Sequence, residues 1–307
     1  MKILIISSNL IGDTLLSTGV IKNLSIKYPN ARFTIVIGPT AKSIFKNFRL
    51  VEKIITIKKK KYNMHWINIL FRCFGKKWDI IVDFRSSLLS YFLPHRTKYI
   101  FKKNNTSNQI QQLSDFFRFD CSYLFIETSK NEEEIVEKNI SKNFDYFVIF
   151  PGGNWKPKIW SPANYNKLIK TIIQNNDNIK FILVGSNKEE SIYFNEVTKG
   201  IDRSKFINLF GASITQTAAY MKKSTMLIGN DSGLTHLASA SKLKSLVLFG
   251  PTNDLVYGPF NKLSQVIRTK DSYNYFKTIN IDKTKSYMDS ISVEEVYDVL
   301  KVGGHCE

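Results

Sequence analysis

The stretch TMLIGNDSGLTHLASASKLKSLVLFGPT, residues 225–252, decides the fold. Residues 225–228 read as a buried strand, Gly229-Asn230-Asp231-Ser232-Gly233 as a tight turn, and 234–241 as a helix of small residues. A second strand over 245–249 and a closing Gly250-Pro251-Thr252 turn complete one βαβ unit. At the first turn, polar residues and glycine stand between the carboxyl end of a strand and the amino end of a helix. The first N–H groups of a helix lack internal partners and the helix dipole adds positive charge there, so the place suits a phosphate. Ser232 or Asp231 is placed to cap the helix, and Gly233 lets the backbone approach a ligand. A well-capped turn without a ligand would use the same residues.

The same alternation extends in both directions. Toward the amino terminus, strands are expected over 2–7, 32–38, 53–57 and 78–84, with helices over 14–28, 40–48 and 64–74. Residues 99–126 are less regular, with a polar patch over 102–112 and a helix over 110–119. A charged helix over 131–143 holds the domain junction, giving domains 1–142 and 143–307. The second series runs through strands 146–150, 180–184 and 206–209 and helices 163–174, 189–198 and 215–223. A last helix over 290–300 opens on Ser292 and Glu295 at capping-box spacing and is a candidate to pack back on the first domain. Near-continuous apolar strands alternating with helices indicate parallel sheets covered on both faces. The expected class is α/β, two Rossmann-like domains with a cleft between them and ligands at the carboxyl ends of strands.

Composition narrows the function classes. A chain of 307 residues with 43% apolar content can build two cores. Cys73, Cys121 and Cys306 form no metal spacing and the four histidines are scattered, so a reduced cytoplasmic protein without a structural metal is expected. The opening MKILIISSNLIGD reads as a first strand rather than a secretory signal, and no run of 18 apolar residues occurs.

The net charge of +18 is uneven: residues 1–150 hold 24 Lys+Arg against 12 Asp+Glu. Residues 42–77 carry eleven basic residues and one acid, Glu52, interleaved with Phe45, Phe48, Trp66, Ile69, Leu70, Phe71 and Phe74. Such a stretch suits an anionic acceptor or membrane surface, with Lys58, Lys59, Lys60, Lys61 and Arg72 as candidates. A generally lysine-rich surface is the plainer reading. Nucleic acid is not expected, because the aromatics match no RNA-binding motif and the basic excess lies away from the candidate turns.

Two more turns carry candidate chemistry. Leu10-Ile11-Gly12-Asp13-Thr14 follows the first strand. Asp13 is placed either to cap the next helix or to take a proton from an acceptor hydroxyl. Pro151-Gly152-Gly153-Asn154-Trp155-Lys156-Pro157-Lys158-Ile159-Trp160 follows strand 146–150 and precedes a helix opened by Ser161-Pro162. Its glycines permit a tight backbone, Asn154 offers an amide and Lys158 a point charge for phosphate. Trp155 and Trp160 also suit a core, and the lysines a solvated loop. In the third turn Thr235 and His236 add donors. No P-loop, no G-x-G-x-x-G after the first strand and no D-x-D pair occurs, so a bound diphosphate would be neutralised by amides, dipole and lysine.

Taken together, Ile11-Gly12-Asp13, PGGNWKPKIW from Pro151, Gly185-Ser186 with Glu189, NDSGLTHLASA from Asn230 and FGPT from Phe249 resemble the ADP-heptose:lipopolysaccharide heptosyltransferases of glycosyltransferase family 9. The resemblance spans nearly the whole chain in order. It implies a GT-B architecture, with the acceptor on the first domain and the nucleotide sugar on the second, and an inverting, metal-independent transfer without cofactor. By that resemblance Asp13 is the base, and Gly153, Asn154 and Lys158 contact the donor phosphates. Glu189 matches a ribose contact and Asp231 a donor-sugar contact, while Ser232, Gly233, Leu234, Thr235 and His236 form the helix start that holds the diphosphate. The implied partners are ADP-heptose and an anionic glycolipid of the lipopolysaccharide inner core, at the inner face of the cytoplasmic membrane. Ile159 stands where the family commonly has a basic residue. The competing expectations are a different nucleotide-sugar donor, a nucleotide-sugar epimerase or hydrolase, and a non-catalytic basic nucleic-acid-binding protein.

Overall fold

The computed structural model describes residues 1–57, 65–261 and 264–302. The chain forms two compact units, Met1–Glu127 and Thr128–Glu307. Unit 1 runs β1 (Lys2–Ile6), α1 (Ile11–Lys27), β2 (Arg32–Ile37), β3 (Val51–Thr56), α2 (His65–Cys73), β4 (Trp78–Asp83), α3 (Leu89–Phe92), β5 (His95–Ile100) and α4 (Gln109–Phe117). Unit 2 runs α5 (Lys130–Asn139), β6 (Asp145–Phe150), α6 (Pro162–Asn175), β7 (Ile179–Gly185), α7 (Asn187–Val197), β8 (Phe206–Phe210), α8 (Ile214–Met221) and β9 (Met226–Asn230). It ends with α9 (Gly233–Ala240), β10 (Lys244–Phe249), α10 (Asp254–Tyr257), β11 (Gln265–Arg268), α11 (Tyr273–Thr278) and α12 (Val293–Val302).

Both sheets are parallel. The first has strand order β3-β2-β1-β4-β5 and the second β11-β10-β9-β6-β7-β8. Each is a doubly wound order that reverses once, between β1 and β4 in unit 1 and between β6 and β9 in unit 2. Parallel strands need helical crossovers, which cover both faces, and this is why the central strands read as apolar runs. Ile3, Leu4, Ile5 and Ile6 of β1, and Phe147, Val148 and Ile149 of β6, are wholly buried. The α/β, two-Rossmann-unit fold expected from sequence is the one found. In such sheets the crevice at the reversal, outside the carboxyl ends of the strands, is where ligands bind.

Several expectations are corrected. Helix α5 packs against α8, and Glu132 accepts a hydrogen bond from Thr215 Oγ1, so the boundary falls at Glu127 and not near residue 142. Helix α12 packs on α6 of its own unit, with Val296, Tyr297 and Leu300 in that unit's core. The helix expected over 40–48 is only a 3-10 turn, Lys42–Phe45. Strands β5 and β11 were not anticipated. Both are edge strands, HRTKYI and QVIR, and the polar residues that keep an edge from pairing with another chain also erase its apolar signature.

The basic stretch is sorted by burial. Phe45, Phe48 and Ile69 are core residues, whereas Phe71, Phe74 and Arg72 lie on the surface. Lys58, Lys59, Lys60 and Lys61 lie outside the described residues. Cys73 and Cys121 are buried free thiols, pushed up by burial to about 11 and about 12 respectively.

Candidate active site

The carboxyl end of β1 turns directly into α1. The helix begins at Ile11, its N-cap is Leu10, and no side chain caps it. Asp13 therefore sits in the first turn and is not the cap. Its Oδ2 accepts from Ser8 Oγ at 3.2 Å, and its Oδ1 lies 3.6 Å from Lys103 Nζ. Across the β1/β4 reversal, the chain leaving β4 is shaped by buried Asp83, whose carboxylate accepts from Arg85 N, Ser87 N and Ser87 Oγ. Ser86 takes a left-handed conformation (φ 50°) in that turn. Arg85 donates to Asn9 Oδ1 at 2.9 Å, and although burial lowers its pKa, a guanidinium remains protonated.

Asp13, Ser8, Arg85, Lys102, Lys103 and Gln109 line one cleft of about 230 Å³. One carboxylate among three cations has the chemistry to attract an anionic ligand and to accept a proton. Arg72 is not among its lining residues. Arg85, Lys102 and Lys103 were missed as site residues; the only sequence signal for them was the irregular polar patch that opens at Lys102.

The second site is built at the β6/β9 reversal. Asn230, the last residue of β9, is fully buried and stitches the two loops together. Its Oδ1 accepts from Trp160 N (3.0 Å) and Tyr165 OH (3.1 Å), and its Nδ2 donates to Gly152 O (2.9 Å). Burial raises the Tyr165 pKa well above its ordinary value, so the hydroxyl stays a neutral donor. In the sequence Asn230 stands in the turn and opens the NDSGLTHLASA block, but the bonds of its buried amide are set by tertiary neighbours.

Lys158 is brought onto Asp231 by this stitching. Their Nζ and Oδ2 lie 3.2 Å apart, with side chains only 13% and 10% exposed. An ammonium has three donors, so the pair does not exhaust Lys158. Gly153 N donates to Glu189 Oε1 at 2.8 Å, while Glu189 Oε2 accepts from Ser186 N and Ser186 Oγ in a capping box at the start of α7. A Cβ on Gly152 would collide with the Glu189 carboxylate, so the loop and the α7 start pack at glycine distance. Glu189 thus anchors the glycine pair.

Helix α9 is capped by Ser232, whose Oγ accepts from Leu234 N at 3.1 Å and whose carbonyl accepts from Thr235 N. The amides of Ser232 and Gly233 have no partner among the described residues. They are the donors this helix start presents to an anion. Thr235 and His236 are buried behind it, and Asn154 stands exposed at the loop tip.

Trp160 belongs to the core: it is fully buried and its Nε1 donates to Ile291 O. Ile159 is buried beside it, which accounts for an apolar residue at that position. The FGPT turn is held from behind. Arg268 donates to Gly250 O, Thr252 O and Asp254 Oδ1, and Met288 fills the space a Cβ on Gly250 would need. Among the described residues no group of three or more His, Cys, Asp or Glu could hold a metal ion.

Known proteins resemble this chain in sequence and in fold. Residues 69–287 match the family model described as glycosyltransferase family 9 (heptosyltransferase). The chain is 24% identical over 332 residues to lipooligosaccharide heptosyltransferase 2 of Haemophilus influenzae, covering 95% of each chain. In fold it resembles the family 9 glycosyl transferase of Veillonella parvula, with TM-score 0.79 at 20% identity over 98% of this chain and 96% of that one. It also resembles E. coli ADP-heptose lps heptosyltransferase II, with TM-score 0.75 at 18% identity over 99% and 98%. With two doubly wound parallel sheets of GT-B type and a family match over most of its length, the chain belongs to glycosyltransferase family 9 and is a glycosyltransferase.

Proposed function

We propose that this enzyme transfers heptose from ADP-heptose to a lipopolysaccharide-core or related glycan acceptor, with inversion at the anomeric carbon and without a metal ion. The observation that carries the reading is the convergence at the β6/β9 reversal of Lys158, the Gly152-Gly153 backbone and the start of α9. These supply the positive charge and amide donors that a diphosphate leaving group needs. ADP-heptose and lipopolysaccharide, the donor and acceptor in the name of the E. coli relative, suit such a site.

In this scheme Asp13 takes the proton of the acceptor hydroxyl. The freed oxygen forms a bond to the anomeric carbon as the bond from that carbon to the β-phosphate oxygen breaks, and ADP leaves with the electron pair. Attack on the face opposite the leaving group inverts the centre. Lys158 and the amides of Ser232 and Gly233 meet the charge that grows on the departing phosphate, with Asn154 at the loop tip. Asp231 holds Lys158 in place and faces the donor sugar; Leu234, Thr235 and His236 form the helix behind. Glu189 positions Gly153. Arg85, Lys102 and Lys103 favour an acceptor bearing carboxylate or phosphate, in keeping with an inner-core glycolipid made at the inner face of the cytoplasmic membrane.

The test is an assay of purified protein with ADP-heptose and heptose-deficient core acceptor, with and without EDTA. The product is followed by mass spectrometry and its anomeric configuration by NMR. Acceptor-dependent, EDTA-resistant formation of the inverted glycoside is expected. Donor consumption at the same rate without acceptor would place the enzyme among hydrolases or epimerases instead, and loss of activity in EDTA would overturn metal independence.

A further inference from the structure

Helix α2 is apolar on more of its circumference than its own unit covers. Trp66, Ile69, Leu70 and Cys73 turn inward and pack with Leu89 and Leu93 of the α3 segment. The adjoining stripe, Ile67, Phe71 and Phe74, recurs at the same helical spacing yet lies exposed, Phe71 to 74%. Helix α3 repeats the arrangement. Leu89 is buried, whereas Leu88, Tyr91 and Phe92, spaced i, i+3, i+4, face solvent, with Leu88 75% and Phe92 64% exposed. The two helices pack against each other. Single exposed apolar residues are ordinary, but large ones clustered on two adjoining helices mark a surface that something covers.

The charge around this surface selects what covers it. Residues 53–78 contain eight Lys or Arg and no Asp or Glu. Arg72 and Lys77 are exposed on the α2 side, and Lys98 lies 3.9 Å from the Tyr91 ring on the α3 side. Aromatic rings flanked by long cationic side chains are suited to the headgroup level of a bilayer, rings in the acyl boundary and cations on anionic lipid. A second copy of the chain would set this basic surface against itself.

We propose that the α2–α3 face of unit 1 seats the protein on an anionic lipid bilayer, with Phe71, Phe74, Leu88, Tyr91 and Phe92 entering the interface. The proposed function supplies the need, an acceptor carried by lipid, while the surface stands on its own residues. No described helix is long and apolar enough to cross a membrane, so the contact lies along the surface.

The full chain is floated with vesicles of phosphatidylglycerol and phosphatidylethanolamine, and with vesicles of phosphatidylcholine alone. The wild type should bind the anionic vesicles in a salt-sensitive way. Phe71→Ser/Phe74→Ser/Phe92→Ser should lower that binding ~tenfold or more, with unchanged thermal melting because all three residues are exposed. Turnover of a deacylated, water-soluble acceptor should also be unchanged. Arg72→Gln/Lys77→Gln should weaken binding to anionic vesicles and flatten its salt dependence. Failure of the wild type to float, or wild-type flotation by the triple variant, would overturn the proposal. So would equal binding to neutral and anionic vesicles, or self-association that the triple variant abolishes in the absence of vesicle binding. If vesicle binding persists while heptose transfer is never detected, the function reading falls and this one stands.

Discussion

The two reversal points of this molecule are built on one plan and finished differently. At β6/β9 the polar groups are locked to one another: Asn230 makes three bonds within the protein, Glu189 holds Gly153, and Lys158 is paired with Asp231. At β1/β4 the carboxylate of Asp13 has, among the described residues, a hydroxyl at 3.2 Å and an ammonium at 3.6 Å, and it lines a cleft with three cations. The difference follows from what each would do. A site that stabilises charge on a fixed diphosphate gains from preorganisation, because its dipoles need not reorient during the reaction. A base must keep its lone pairs accessible to the proton it removes.

Four substitutions test that division, the largest effect first. Asp13→Asn should lower kcat by ~10²–10⁴ through loss of the general base, leaving the ADP-heptose dissociation constant and the melting temperature nearly unchanged. Steady-state kinetics with calorimetric titration of the donor separates the two; a variant with ordinary kcat removes Asp13 from the role.

Asn230→Ala attacks the locked site. It strands the buried Trp160 N–H and Tyr165 hydroxyl together with the Gly152 carbonyl, and should cost about 3 kcal/mol of stability in denaturant unfolding. Little change would mean that the two loops are held together by other means.

Lys158→Gln keeps a hydrogen-bond donor for Asp231 and removes the charge. Donor affinity should fall about 10- to 100-fold, in line with a charge-assisted bond worth about 1.5–3 kcal/mol, while acceptor KM holds. An unchanged donor affinity would show that the Lys158 charge serves only Asp231.

Glu189→Gln is the smallest and sharpest. If the carboxylate acts as anchor to Gly153 and as the reciprocal partner of Ser186 in the α7 capping box, stability falls by about 1 kcal/mol and affinity for ADP changes by less than about twofold. A larger loss of ADP affinity without loss of stability would favour the ribose contact that the family resemblance implies.

Much of this was legible in the sequence, for a physical reason. The central strands are buried on both faces, so their apolar runs announce them, and the turns at their carboxyl ends carry glycine, cap residues and lysine that stand out against those runs. Ser161-Pro162 opening α6 follows from local chemistry alone, whereas the choice of Ser232 over Asp231 as cap of α9, and of the core for Trp160, is made by the structure. What was hidden depends on tertiary neighbours. Edge strands β5 and β11 have no continuous apolar run to read. The fate of Asp13 turned on Leu10 being the N-cap, one residue before the helix start. Asn230, Arg85 and Asp83 declare themselves only once β9 lies beside β6 and β4 beside β1. The aromatic residues of the basic stretch likewise needed the helix faces to be known before core could be told from surface.

The most direct measurement is thermal stabilisation of the wild type, Lys158→Gln and Asp13→Asn by ADP, UDP, GDP and CDP and their sugars, without added metal. A ligand at ~100 times its dissociation constant contributes about 2.7 kcal/mol, a shift easily read. The account predicts that ADP and ADP-heptose stabilise the wild type and Asp13→Asn alike, and stabilise Lys158→Gln distinctly less at the same concentration. Preference for another nucleotide, or stabilisation lost in Asp13→Asn and kept in Lys158→Gln, would contradict it.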